Sequence, residues 1–264
     1  MSDDTNFESP NLRFGGIERL YGTAGFAAFQ SAHVAVIGIG GVGSWAAEAL
    51  ARSGIAEISL FDMDDICVSN TNRQIHAQSS SVGQMKVDVM AKRLKDINPD
   101  IRVHPTHAFV IPKNVDKHLS SKFDYVFEAT DSVNAKTAII AYCVRNKIKI
   151  ITSGGAGGQL DPTRIDVADL SKTIQDPLLA KVRNNLRRLH GFTRNPKRRF
   201  RVDAVYSTEP LRYDQGDGTV CNERPVDAGP VKLDCASGFG AATHVTASFG
   251  FVAAARILNK LASP

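Results

Sequence analysis

Short apolar runs recur through the middle of the chain. Each is followed by a longer stretch in which apolar and small residues return every three or four positions. Residues 33–37, 57–61, 102–107, 125–129 and 149–152 read as strands, and 42–53, 86–97 and 133–146 as the helices between them. Strand and helix in alternation build a parallel sheet. After Gly154-Gly155-Ala156-Gly157-Gly158 the alternation loosens, to a strand at 164–167, a helix at 178–189 and a strand at 201–206. Residues 213–230, rich in Gly, Asp and Pro, read as loop, and 239–260 close the chain as an apolar helix. The predicted fold is α/β: a mostly parallel sheet continued by a mixed α/β C-terminal half. Residues 1–153 form one half with an N-terminal arm and 154–264 the other, either as two units or on one sheet.

Chemistry-bearing residues fall at the predicted strand ends. Gly38-Ile39-Gly40-Gly41-Val42-Gly43 lies between the first strand and a small-residue helix, the context in which a glycine run lets backbone approach phosphate at a helix start, as in a Rossmann-like fold. Asp62 ends the second strand, where a carboxylate can hold ribose hydroxyls. Beyond it come Asp64, then Ser69-Asn70-Thr71-Asn72-Arg73-Gln74, then Lys86 at a helix start. Arg73 offers a planar fork and Lys86 a point charge, both suited to phosphate, although either alone is an ordinary surface cation. Asp131, in Ala129-Thr130-Asp131-Ser132, follows the fourth strand. It suits a hard cation such as Mg²⁺ or, alternatively, caps the next helix, a role Ser132 can fill instead. Acids, cations and glycines together describe a site for a nucleoside triphosphate with its metal. A nicotinamide dehydrogenase would share the glycines and Asp62 but gain nothing from Arg73, Lys86 and Asp131.

Composition narrows the setting. At 264 residues and 43% apolar, the chain fits one large domain or a domain with an insertion. No apolar leader follows Met1, and residues 2–10 read as a loose tail, so a cytoplasmic protein is expected. Cys67, Cys143, Cys221 and Cys235 form no C-x-x-C pair, which removes the usual structural zinc site and suits reduced thiols. Residues 235–255 carry no charge and are long enough to span a bilayer, but His244, several hydroxyls and glycines dilute them, so a buried helix is expected. Net charge is +5, and one segment accounts for its sign. Residues 181–201 hold nine cations (Lys181, Arg183, Arg187, Arg188, Arg194, Lys197, Arg198, Arg199 and Arg201) and no acid, and without them the charge is −4. A polyanion partner is the natural inference, against a merely solvated loop.

The ordered motifs from Arg13 to Ser153 resemble the ubiquitin-activating-enzyme-like superfamily, in the small bacterial branch that adenylates carboxylates. The resemblance implies ATP and Mg²⁺ as cofactors. It assigns the glycine loop (Gly38, Gly40, Gly41, Gly43) and Asp62 to adenosine and ribose, and Ser69, Asn70, Arg73 and Lys86 to phosphates, while Asp64 either helps with the metal or caps a turn. Asp131, beside Ser132, is assigned to the metal, and a monovalent cation (Na⁺ or K⁺) is also admitted. The missing cysteine pairs depart from the branches that activate sulfur-carrier proteins. The 176–178 stretch, Tyr206-Ser207-Thr208-Glu209 and Cys235-Ala236-Ser237-Gly238-Phe239-Gly240 are similar to the tRNA threonylcarbamoyladenosine dehydratases, and the basic segment fits that resemblance independently. It implies ligase-class, ATP-dependent cyclisation of threonylcarbamoyladenosine in tRNA through an acyl-adenylate, with adenylation of a sulfur-carrier C-terminus as the alternative. It further implies a homodimer in which Arg13 or Arg19 crosses between subunits as an arginine finger, and it admits a cysteine-desulfurase sulfur-transfer partner. Cys235 is a candidate catalytic thiol by analogy. Its apolar, glycine-rich surroundings equally suit a packed, inert one.

Overall fold

The computed structural model describes residues 10–223 and 239–263. Its centre is one seven-stranded sheet in the order β3-β2-β1-β4-β5-β7-β6. The strands are β1 (His33–Ile37), β2 (Glu57–Asp62), β3 (Arg102–His107), β4 (Tyr125–Glu128), β5 (Ile150–Ser153), β6 (Ile165–Asp169) and β7 (Asp203–Ser207). All pairs are parallel except β6 with β7. Strands from both predicted halves share this sheet, because β7 pairs with β5.

The helices are α1 (Pro10–Phe29), α2 (Gly43–Arg52), α3 (Lys86–Ile97), α4 (Val115–His118), α5 (Val133–Arg145), α6 (Pro177–Leu189) and α7 (Thr243–Ala262). Successive strand residues point to opposite faces, and both faces are covered. Val34 and Val36 pack with α1, α2, α3 and α7, while Ala35 and Ile37 pack with α4, α5 and α6. Buried side chains on both faces explain why β1, β2, β4 and β5 read as largely apolar runs, whereas β3, at the sheet edge, is mostly exposed.

Three regions differ from the sequence expectation. The N-terminal arm is a long helix, bent at Gly22; its pattern lacks a regular apolar stripe, yet Phe14, Phe26 and Phe29 are buried. The segment read as loop from residue 213 contains a small hairpin, β8 (Tyr213–Asp214) with β9 (Val220–Cys221). The last helix starts at Thr243 rather than 239 because Phe239 is drawn away against Gly157 and Gly158, where added Cβ atoms would lie 2.9 and 2.8 Å from its side chain. No helix among the described residues is long and apolar enough to cross a membrane. Instead α7 lies against α2 so closely that a Cβ on Gly250 would come within 2.6 Å of the Val42 carbonyl oxygen.

Candidate active site

Strand order reverses between β1 and β4, and in open α/β sheets the crevice beyond the strand ends at that point is where ligands bind. A cavity of about 1110 Å³ opens there. The two loops that flank it nearly touch. Gly38 has φ +89°, and a Cβ on it would lie 2.9 Å from the Ala129 carbonyl oxygen. Gly38, Gly40 and Gly41 line the cavity. Gly43 sits beneath them, where a Cβ would strike the Gly38 carbonyl at 1.9 Å, so its role is to seat α2 on the turn. The start of α2 has no side-chain cap, leaving backbone N–H groups for an anion.

Asp62 is buried and holds this turn together, since Oδ2 accepts from the Ile39 N–H at 2.7 Å and Oδ1 from the Asp64 N–H at 3.0 Å. Asp64 in turn pairs with Lys86, whose Nζ lies 2.8 Å from Oδ2. Both line the cavity, with Lys86 buried at the first position of α3. Ser69 and Arg73 reach the cavity from the loop after β2. Arg73 lies over Gly41, and its Nη1 donates to the Ser69 carbonyl at 2.8 Å and to Asn72 Oδ1 at 2.9 Å. Asn70 is buried and does not line the cavity; its Oδ1 accepts from the Cys67 N–H at 3.1 Å and shapes the loop. The loop is tied to α7, because Asn72 donates to the Ala241 carbonyl and Thr243 donates to the Asn72 carbonyl.

Asp131 and Ser132 line the same cavity from the loop after β4. Ser132 caps α5 by accepting from the Ala135 N–H, which leaves the Asp131 carboxylate for other work. Desolvation within the crevice raises the Asp131 pKa, and the neighbouring Asp64 and Glu128 charges add to this while Lys136 opposes it. A carboxyl so placed gains from a bound cation, and its oxygens, with those of Asp64, are the hard donors that Mg²⁺ prefers.

Sequence reasoning missed the groups under this loop. Glu128 and Lys136 are an ion pair with no solvent exposure. Lys136 also donates to the Ser153 carbonyl at 2.8 Å and to Thr152 Oγ1, while Glu128 accepts from the Thr130 N–H and hydroxyl. A helix lysine reads as solvated in isolation, so nothing in the pattern marked it. Asp176 also lines the cavity; buried, it caps α6 through the Leu179 N–H and accepts from the Gly155 N–H at 2.9 Å. Its Asp-Pro start was the available signal. A Cβ on Gly154 would fall 1.9 Å from its Oδ2.

Arg13 does not line the cavity of its own chain. It donates to the Ile97 carbonyl at 2.8 Å, at the far end of α3, beside the starts of the strands. Cys235 lies outside the described residues. Of the basic segment, Lys181 lines the cavity. Arg183 bonds Thr173 Oγ1 and Arg187 lies over the Phe200 ring, 5.4 Å from its centroid, so these two are partly engaged in packing. Arg188, Arg194, Lys197, Arg198 and Arg199 are exposed.

The doubly covered sheet, the glycine turn at the switch point and the surrounding cations and acids define a Rossmann-like nucleotide-phosphate site. The chain belongs to the ThiF family, whose model matches residues 16–262. It is 57% identical over 249 residues to the tRNA threonylcarbamoyladenosine dehydratase of Escherichia coli K12, covering 94% of this chain and 93% of that one. It is 54% identical over 262 residues to the Haemophilus influenzae protein of the same name, covering 99% and 96%. The crystal structure of the E. coli dehydratase in complex with ATP superimposes with a TM-score of 0.84 at 52% identity, covering 95% of this chain and 94% of that one.

Proposed function

We propose that the chain catalyses ATP-dependent dehydration of threonylcarbamoyladenosine in tRNA, giving the cyclic form. The observation that carries the reading is the switch-point cavity, in which Arg73, Lys86 and Asp131 converge on the glycine turn, in a chain alike over nearly its full length to dehydratases, one of them solved with ATP. The threonyl carboxylate attacks the α-phosphorus of ATP. A carboxylate oxygen–phosphorus bond forms and the bond to pyrophosphate breaks. A nucleophile within the same modification then attacks the activated carbonyl, the ring closes and AMP leaves, for a net loss of water. A carboxylate with a pKa near ~4 is already ionised at neutral pH, so the first step needs no general base. It needs alignment and charge cancellation, which accounts for a cavity supplied with Arg and Lys. Mg²⁺ would be held by Asp131 and would neutralise phosphate charge there. Adenylation of this kind is ligase-class chemistry, carried out in the cytoplasm.

The subunits are proposed to pair as a homodimer. Arg13, at the strand starts in its own chain, would then serve as a charge donor only from a second copy. The sulfur-carrier alternative is not favoured, since the chain lacks C-x-x-C pairs and carries the basic segment. Nucleoside mass spectrometry of tRNA incubated with the protein and ATP should show threonylcarbamoyladenosine lighter by one water, with pyrophosphate released. Unchanged nucleoside in the presence of bound ATP would sink the reading.

The exposed cations of the basic segment are proposed to meet tRNA phosphates. Replacing Arg188, Lys197, Arg198 and Arg199 with alanine should flatten the dependence of log affinity for tRNA on log salt, by roughly 0.7–0.9 for each phosphate no longer neutralised. ATP binding should be unaffected. An unaltered slope would remove these four from the tRNA-binding surface. Arg187 is best left in place, because its guanidinium packs on Phe200.

A further inference from the structure

At the opposite end of the sheet from the cavity, three side chains from three adjacent strands converge. His33 opens β1, Glu57 opens β2 and His104 lies two residues beyond Arg102, the first of β3. His33 pairs with Glu57 in the β1–β2 register, and Ser59 pairs with His104 in the β2–β3 register. Alternation along a strand therefore puts His33, Glu57, Ser59, Arg102 and His104 on one face. One potential ligand atom from each of His33, Glu57 and His104 lies within 4.8 Å of the other two. Glu57 Oε1 is 3.4 Å from His33 Nδ1 and 2.7 Å from His104 Nε2. Since β1 spans about 13 Å from His33 to Ile37 at ~3.3 Å per residue, this cluster is separate from the nucleotide site.

We propose that His33, Glu57 and His104 form a binding site for a first-row divalent transition-metal ion, with Zn²⁺ the best match. Two imidazoles and one carboxylate, with the remaining position open to water, are a donor set that suits this ion. The outer partners are also in place. His33 Nε2 lies 2.9 Å from Ser59 Oγ. In the tautomer that donates from Nε2, the Nδ1 lone pair faces the carboxylate, a repulsive arrangement that an intervening cation converts to an attractive one. Metal-bound histidines commonly use their second nitrogen in this way. Glu57 Oε2 accepts from Arg102 at 2.7 Å, which leaves Oε1 turned toward the two rings. Phe123 stands edge-on to the His33 ring at 4.7 Å and fixes its plane. His104 is half exposed and gives the ion access from solvent. Lys122 and Arg102 are nearby cations that weaken the site, and Asp124, which accepts from the His33 N–H, offsets part of that effect.

The test titrates metal-free, full-length protein with ZnCl₂ by calorimetry and, in parallel, with CoCl₂ by visible absorption. Expected are Zn²⁺ uptake near one ion per chain, a ligand-field spectrum with Co²⁺, and a rise in Tm on adding Zn²⁺. In His104→Ala and in Glu57→Gln this uptake should weaken by more than the roughly 10–100-fold that loss of an outer partner costs. Ser59→Ala should weaken it within that range. His104 is exposed enough that its variant should fold, and wild-type circular dichroism checks this. Failure of the wild-type protein to take up Zn²⁺ at micromolar concentration would overturn the proposal. So would uptake of equal affinity in folded His104→Ala or Glu57→Gln.

Discussion

Arg73→Ala is expected to fold normally and to form adenylate about 10²–10³-fold more slowly, the range typical of removing one positioned donor of transition-state charge. The Arg73 side chain is half-buried beside the glycine turn, with Nη1 held on the Ser69 carbonyl and Asn72 Oδ1. These two acceptors belong to its own loop and help to aim the guanidinium. The Arg73 carbonyl, which alanine keeps, accepts from Trp45 Nε1 at 3.0 Å and from Thr246 Oγ1, so the backbone anchor survives the substitution. ATP- and tRNA-dependent pyrophosphate release gives the rate, and thermal unfolding gives the stability. Wild-type turnover in the alanine variant would take Arg73 out of the phosphate site. Arg73→Lys restores a charge but not the planar fork, so recovery should be partial.

Why Arg73 and Lys86 could be picked out from sequence, and others could not, follows from how each is held. Parallel strands covered on both faces read as apolar runs, so β1, β2 and β4 were legible to within a residue or two. The C-terminal end of α3 was legible because Asn98-Pro99 stops it. Strand ends then located the site by topology, and Gly38, Asp62, Arg73, Lys86 and Asp131 all come within one crevice. α1 escaped because its buried aromatics do not fall on one regular stripe, and tertiary contacts hold it. Gly43 and Asn70 show a different limit. Both belong to motifs that point at a ligand, but each is used for packing the backbone that presents one. Asp176 and Lys136 show the converse, since their importance arises from contacts distant in sequence, 21 residues to Gly155 and 17 to Ser153.

Lys136→Met should destabilise the fold by about 3–5 kcal/mol, because removing one member of a buried pair strands the other without a counter-charge. Neither Glu128 nor Lys136 has any solvent exposure, and water cannot replace the missing partner. After the substitution, Thr152 and Thr130 would still donate to the Glu128 carboxylate, but those hydrogen bonds leave its charge uncompensated. At roughly 2–4 °C per kcal/mol for a chain of this size, the loss corresponds to a fall in Tm on the order of 10 °C. The double variant Glu128→Gln, Lys136→Met should recover part of that loss, since a neutral amide needs no counter-ion. Its ATP affinity should recover as well. Glu128 Oε1 accepts from both the backbone and the hydroxyl of Thr130, and a glutamine with its oxygen in that place keeps both donors while its amide group donates to the Thr152 hydroxyl oxygen, which has lost the Lys136 donor. The loop carrying Asp131 then keeps its anchor at Thr130 where the fold survives. Chemical denaturation of the wild type, both single variants and the double variant forms a complete cycle. A coupling free energy near zero would show that the two charges are not a unit, and the support assigned to the Asp131 loop would fall with it.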